Sequence, residues 1–210
     1  MGDLNELLGE RQRAVVRAVA SALPSEAYLG GGLAVAARVR HRPSLDADFF
    51  LPVDFDPERL AERLAASLPA LRVTGAANGT LYAELDGIPV SILSYRYPLL
   101  AACEENAELG ARLASVEDLV CMKLWALASR GLARDFWDLH ALLEHGAASG
   151  SLERALELYT RKYPSADVGH VIRSLVYFGD AEASPLPRGL RQSEWSRIRT
   201  EFERWVVALG

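Results

Sequence analysis

Apolar residues near the amino terminus recur at helical spacing. Leu4, Leu8, Val15, Val19 and Ala22 fall on one stripe, and that spacing predicts a helix over residues 4–22. Pro24 and Ser25 end it, and residues 27–29 read as a short strand ahead of Gly30, Gly31 and Gly32. Residues 33–40, alanine-rich and free of Gly and Pro, predict a second helix that Pro43 and Ser44 stop. Residues 45–51 alternate or run apolar, as a strand does. Asp56-Pro57-Glu58 then opens a helix, because Pro is tolerated in the first turn and acids favour the positive end of the dipole. Leu60, Leu64 and Leu68 mark its buried face.

Residues 71–95 are β-like. The runs 81–85 and 88–95 flank Asp86-Gly87, a two-residue hairpin signal. From Pro98 onward the pattern turns helical. Ser115 and Asp118 resemble a capping box for a helix over 116–129, which breaks at Arg130-Gly131. Further helices are predicted at 133–145, 151–162, 167–178 and 192–208, the last with Trp195, Ile198, Phe202, Trp205 and Leu209 on one face. Residues 183–190, with Pro185 and Pro187, are the linker-like stretch. Strands come first and helices follow, so the expected class is α+β: a mixed-sheet core with flanking helices over 1–97, then a helical lobe over 98–210.

Composition narrows the classes. Half of the 210 residues are hydrophobic and 24% are charged, the balance of an ordinary globular protein. No apolar run approaches the roughly 20 residues a bilayer span needs, and the acidic start lacks a signal core. No membrane association is expected. Cys103 and Cys121 are too few and too scattered for a disulfide framework or a zinc site, and Cys121 falls in an apolar helix as a small core residue. A reducing cytoplasm is the expected location. The net charge of −5 argues against a surface coated in nucleic acid, but Arg38, Arg40, His41 and Arg42 cluster, as do Arg188, Arg191, Arg197, Arg199 and Arg204. Such clusters either bind phosphate locally or are solvated helix faces.

The chemistry concentrates between Gly31 and Phe50. On a strand, residues i and i+2 share a side, so Asp46 and Asp48 project together. Two carboxylates this close repel unless a cation lies between them. A hard divalent ion with open positions for phosphate oxygens answers that need. Gly31 and Gly32 upstream would let backbone N–H groups approach a phosphate at a helix N-terminus. In the helical part, Lys123 lies between Leu119 and Leu127 on an apolar face, and Asp135 shares a face with Leu139 and Leu142. A lysine and an aspartate facing inward form an ion pair or serve a site, because unpaired buried charge is costly. Asp138 is expected to partner Arg134 or to lie on the surface, and Trp125 and Trp137 are expected in the core.

The segments Tyr28-Leu29-Gly30-Gly31-Gly32-Leu33-Ala34 and Arg42-Pro43-Ser44-Leu45-Asp46-Ala47-Asp48-Phe49-Phe50 resemble the AbiEii/AbiGii-type toxin nucleotidyltransferases of the DNA polymerase β-like superfamily. The likeness resumes at residues 117–127, at Arg130-Gly131, at Arg134-Asp135-Phe136-Trp137-Asp138-Leu139 and at residues 176–182, and so spans 28 to about 190. It implies a polymerase β-like nucleotidyltransferase core and transfer of NMP from an NTP to a hydroxyl. The acceptor it implies is RNA, such as the 3′ end of tRNA, in a toxin-like or phage-defence setting with a cognate antitoxin.

By resemblance, Asp46 and Asp48 hold Mg²⁺ or Mn²⁺, while Gly31, Gly32, Arg42 and Ser44 bind the nucleotide. Lys123 would balance triphosphate charge, and Asp135 would orient the acceptor or the lysine. Two departures stand out. Ser91 occupies the position of the family's third carboxylate, for which Glu84 or Asp86 are substitutes of poor fit, and Leu33 replaces a hydroxyl residue. These leave two alternatives open: a non-catalytic nucleotide-binding protein, and a small-molecule nucleotidyltransferase of the aminoglycoside-modifying kind.

Overall fold

The computed structural model describes residues 7–145 and 151–210, and the start of the helix expected from residue 4 lies outside them. Helix α1 (Glu10–Ala22) begins after Gly9 and buries Gln12, Val15, Val16 and Val19. Strand β1 (Tyr28–Leu29) leads into α2 (Gly31–Val39), so Gly31 and Gly32 belong to the helix's first turn rather than to a loop before it. Arg40 closes α2 in the left-handed region at φ 52°, its N–H donating to the Ala36 carbonyl. Strand β2 (Ala47–Leu51) follows, then α3 (Pro57–Ser67). Asp56 caps α3 through one carboxylate oxygen, which accepts from the N–H groups of Glu58 and Arg59.

Strands β3 (Arg72–Ala77), β4 (Thr80–Leu85) and β5 (Ile88–Ser94) form a meander. Asp86 and Gly87 both take positive φ at the second turn, the conformation this residue pair favours. Two strands then appear where helix was expected: β6 (Glu104–Asn106) and β7 (Ala111–Leu113). Each is three residues long, and β6 is polar throughout, so β6 shows no apolar alternation and that of β7 is too short to mark a strand. The sheet order is β3-β4-β5-β2-β1-β7-β6. The β2–β5 and β1–β7 pairs are parallel and the others antiparallel, which makes the seven-stranded sheet mixed.

One sheet face is the core. Ala47, Phe49 and Leu51 on β2, Leu81, Ala83 and Leu85 on β4, and Val90 and Ile92 on β5 are all buried. The alternating positions Asp48, Tyr82, Glu84 and Ser91 stay half-buried or exposed, which leaves one face of the central sheet polar.

The chain divides into two compact units, residues 1–115 and 116–210, so the sheet unit extends past the 97/98 boundary expected from the sequence. In the second unit, α4 (Val116–Arg130) ends at Gly131 with φ +54°. Helices α5 (Ala133–His145), α6 (Leu152–Lys162), α7 (Val168–Ser174), α8 (Gly179–Glu182) and α9 (Gln192–Val207) complete it. The helix expected over 167–178 is therefore shorter, and a separate turn of helix precedes the proline segment. Phe136, Phe178, Trp195 and Phe202 meet edge-on or tilted at 5.2–5.9 Å in its core. No helix is long and apolar enough to cross a membrane among the described residues.

Candidate active site

The sheet register builds the site in the first unit. Asp48 on β2 lies opposite Ser91 on β5, and the Ser91 hydroxyl donates to Asp48 Oδ1. On the other side, the Gly30 N–H donates to the Asp48 carbonyl at 3.0 Å, which fixes the start of α2 beside the same residue. Gly31 takes φ +60°, and a Cβ there would overlap the Asp48 carboxylate, at 2.9 Å from its Cγ. Gly31 is thus required twice, by its backbone and by the carboxylate packed against it. Gly32 is buried in the helix.

Asp46 lies one residue ahead of β2 and is exposed. Among the described residues its carboxylate makes no hydrogen bond or ion pair. Asp48 lies beside the positive end of a nine-residue helix, and its carboxylate and that of Asp46 two residues earlier are hard oxygen donors of the kind a divalent cation takes. The segment that delivers Asp46 is anchored by Gln12, which sequence reasoning missed. Its Nε2 donates to the Ser44 carbonyl at 2.6 Å and to the Leu45 carbonyl at 2.9 Å. The signal was present: Gln12 is a polar residue on the apolar stripe of α1.

Arg42 and Ser44, expected at the nucleotide, are 8% and 9% exposed in this same segment, and Arg42 donates to the Pro43 carbonyl at 2.9 Å. Arg38 is engaged internally, donating to the Ala114 carbonyl at 3.0 Å. Glu84 is held by Arg72 at 3.0 Å and pairs in register with Pro89, while Asp86 occupies the turn. Neither is in register with Asp48, so Ser91 is the residue at that position of β5.

Lys123 and Asp135 lie in the second unit and are brought together there. The Lys123 ammonium is 3.2 Å from Asp135 and 2.6 Å from Asp138, and the Arg130 guanidinium makes two 2.9 Å hydrogen bonds to Asp135. Burial pushes the Asp135 carboxyl up, but the Arg130 hydrogen bonds and the Lys123 and Arg130 charges outweigh it and hold the group below the usual carboxylate range. Asp138 is fully buried against Lys123, rather than paired with Arg134 or on the surface as expected. Trp137 is in the core as expected, whereas Trp125 is 41% exposed and tilts against Tyr163 at 5.0 Å.

A second buried pair escaped the sequence reading. Lys162 donates to Asp118 at 2.6 Å with neither side chain exposed, so Asp118 is more than a helix cap. Cys121 beside them is buried, and burial pushes its thiol up to about 12. His140, Glu144 and Glu201 also converge, but Arg197 lies 3.9 and 3.7 Å from the two carboxylates and supplies positive charge. Of the C-terminal arginines, Arg199 pairs with Glu182, and Arg188, Arg191 and Arg204 are exposed.

Residues 13–101 and 89–206 match the family described as nucleotidyl transferase AbiEii toxin, type IV TA system. An uncharacterized protein of Aquifex aeolicus is 37% identical over 206 residues, covering 97% of each chain. Among solved structures, the fold resembles the nucleotidyltransferase toxin MenT4 of Mycobacterium tuberculosis H37Rv, at TM-score 0.58 and 17% identity over 93% of this chain and 85% of that one. It also resembles ANT(2")-Ia in complex with adenylyl-2"-tobramycin, at TM-score 0.53 and 15% identity over 73% of this chain and 98% of that one.

Proposed function

This chain belongs to the AbiEii nucleotidyltransferase toxin family, and from that premise we propose that it transfers NMP from an NTP to a hydroxyl of RNA, with Asp46 and Asp48 holding Mg²⁺ or Mn²⁺. The observation that carries the reading is the register that sets the Asp48 carboxylate between Gly31 and the Ser91 hydroxyl. In the reaction the acceptor oxygen bonds to the α-phosphorus, the bond from that phosphorus to the β-phosphate bridging oxygen breaks, and pyrophosphate leaves with that electron pair. The acceptor proton passes to solvent or to a carboxylate. When bound, the cation neutralises phosphate oxygens and favours the ionised acceptor hydroxyl.

Each residue's part follows from its contacts. Ser91 occupies a lone pair of Asp48 Oδ1 and orients the carboxylate, and the exposed Asp46 supplies further oxygen donors two residues before it. The N-terminal turn of α2 presents Gly31 to phosphate, and Gln12 holds the segment carrying Asp46 in place. Arg42 and Ser44 support that segment. Lys123 and Asp135 enter by resemblance as groups for triphosphate charge and for orientation. A protein antitoxin is the partner that the family implies. The second reading, a nucleotide binder without turnover, draws on Ser91, because a hydroxyl is a poor substitute for a third carboxylate ligand.

The test incubates the protein with radiolabelled NTPs, Mg²⁺ and either total RNA or an aminoglycoside. Label on RNA that disappears in Asp48→Asn, with a loss of at least about 100-fold, is the expected result. Label on the aminoglycoside alone would reassign the acceptor. Nucleotide binding without transfer would support the second reading.

A further inference from the structure

The polar sheet face continues past the carboxylates. Asp48 lies opposite Ser91, Ser91 opposite Tyr82, and Tyr82 opposite Gly75, so the four form one row across β2, β5, β4 and β3. Residues in register share a face, which puts the Tyr82 ring on the side that carries the Asp48 carboxylate. Two strand spacings separate them, roughly 10 Å. Tyr82 is 48% exposed and stacks on no other ring among the described residues. Its edge leans over Gly75, where a Cβ would sit 3.5 Å from Tyr82 Cδ2. The ring is therefore backed by the sheet and open to solvent.

On the next row of the same face, Arg72 is paired with Glu84 at 3.0 Å, and 70% of its side chain is exposed. An exposed pair of this kind contributes little, so the guanidinium can turn to an incoming anion. An open aromatic ring with an exposed guanidinium beside it is the combination that binds single-stranded nucleic acid, the ring by stacking and the cation through phosphate.

We propose that Tyr82 and Arg72 form the acceptor subsite: a base of single-stranded RNA stacks on Tyr82 and its phosphate meets Arg72, within reach of Asp48. This rests on the nucleotidyltransfer reading and adds to it an unpaired acceptor base and the side chains that hold it. The subsite predicts an unpaired base next to the reacting hydroxyl, and it accounts for an exposed aromatic on an otherwise polar row.

The test is fluorescence anisotropy of a labelled single-stranded RNA decamer with the full chain, Mg²⁺ and a non-hydrolysable NTP analogue. Tyr82→Ala should weaken RNA binding about 5- to 140-fold, the equivalent of ~1–3 kcal/mol per stacked base. Tyr82→Phe, which keeps the ring, should stay within about twofold of the parent. Arg72→Ala should reduce the slope of log affinity against log salt by about 0.7. Analogue binding and melting temperature should not move in any of the three. Parental RNA affinity in Tyr82→Ala, or equal loss in Tyr82→Phe, overturns the subsite. So does an absence of saturable decamer binding to the parent, even if a small molecule is labelled. Asp48→Asn should still bind the decamer while failing to transfer. If it transfers, the carboxylate assignment falls and the Tyr82 result stands by itself.

Discussion

The two units use the same side chain in opposite ways. In the sheet unit, Asp46 is exposed and unpaired among the described residues, and Asp48 receives a neutral hydroxyl from Ser91. In the helical unit, Asp118, Asp135 and Asp138 are fully buried, and each has a lysine or arginine within 3.2 Å. A carboxylate taken out of water needs a positive partner supplied by the fold, because the desolvation cost is several kcal/mol per ion. A carboxylate left at the surface without one, as Asp46 is among the described residues, keeps its capacity for a partner from solution. The first arrangement holds helices together; the second is open to a cation and the phosphates that come with it.

The largest effect that could break this contrast comes from Lys123→Met. Arg130 would still neutralise Asp135, but Asp138 would be left buried without its 2.6 Å partner. The expected cost is about 3–5 kcal/mol, read as a lower denaturant midpoint at unchanged slope. NTP affinity measured on the folded fraction separates the two roles that the sequence allowed. A near-normal midpoint with lost NTP binding would make Lys123 a nucleotide group and undo the contrast.

Acid should act on the same cluster. The folded Asp135 value lies below its unfolded value, so its contribution to stability is fully present above the unfolded carboxylate range. It is lost as pH falls through the folded value. Stability should therefore decline below about pH 4, and Asp135→Asn should flatten that decline as well as lowering stability at neutral pH. An unchanged acid limb in Asp135→Asn would remove the cluster from the account.

How far the sequence revealed each arrangement follows from range. The Asp86-Gly87 turn, the Asp56 cap and the helix break at Gly131 are set by neighbours in the chain, and all are where local chemistry puts them. Ser91 opposite Asp48 was legible only through the family resemblance, because the hairpin turn fixes β5 against β4 and says nothing of its parallel pairing with β2. The pairing of Lys162 with Asp118 was not legible, since 44 residues separate them and Asp118 alone reads as a helix cap. Strands β6 and β7 failed for another reason: at three residues each they are held by their neighbours in the sheet and are too short for a periodicity to be read.

Gln12 sharpens the contrast from the other side, as a neutral group that holds the segment carrying the exposed Asp46. Gln12→Ala leaves the carbonyls of Ser44 and Leu45 without this donor, at an expected cost of about 1–3 kcal/mol. If the anchored segment positions Asp46, Mg²⁺ affinity should fall by roughly tenfold or more in the variant that remains folded. A stability loss with unchanged Mg²⁺ affinity would restrict Gln12 to packing.

The smallest expected effect, and the most specific, is Ser91→Asp. At present a donor faces Asp48 Oδ1, and the substitution exchanges it for a second negative charge in the same register. Without a cation the two carboxylates repel, so one of them should titrate upward and the fold should lose up to about 1 kcal/mol, as like charges opposite each other on paired strands do. With Mg²⁺ the same pair becomes a better ligand set, because three carboxylates supply charge and oxygens that two cannot. The sign of the change should therefore reverse on adding the ion. Ser91→Asp should melt below the parent in chelator and gain more than the parent does when Mg²⁺ is added. Turnover should rise if the hydroxyl-activating position is vacant. A variant destabilised equally with and without Mg²⁺ would mean that no cation sits between these strands, and the exposed Asp46 would then need another explanation.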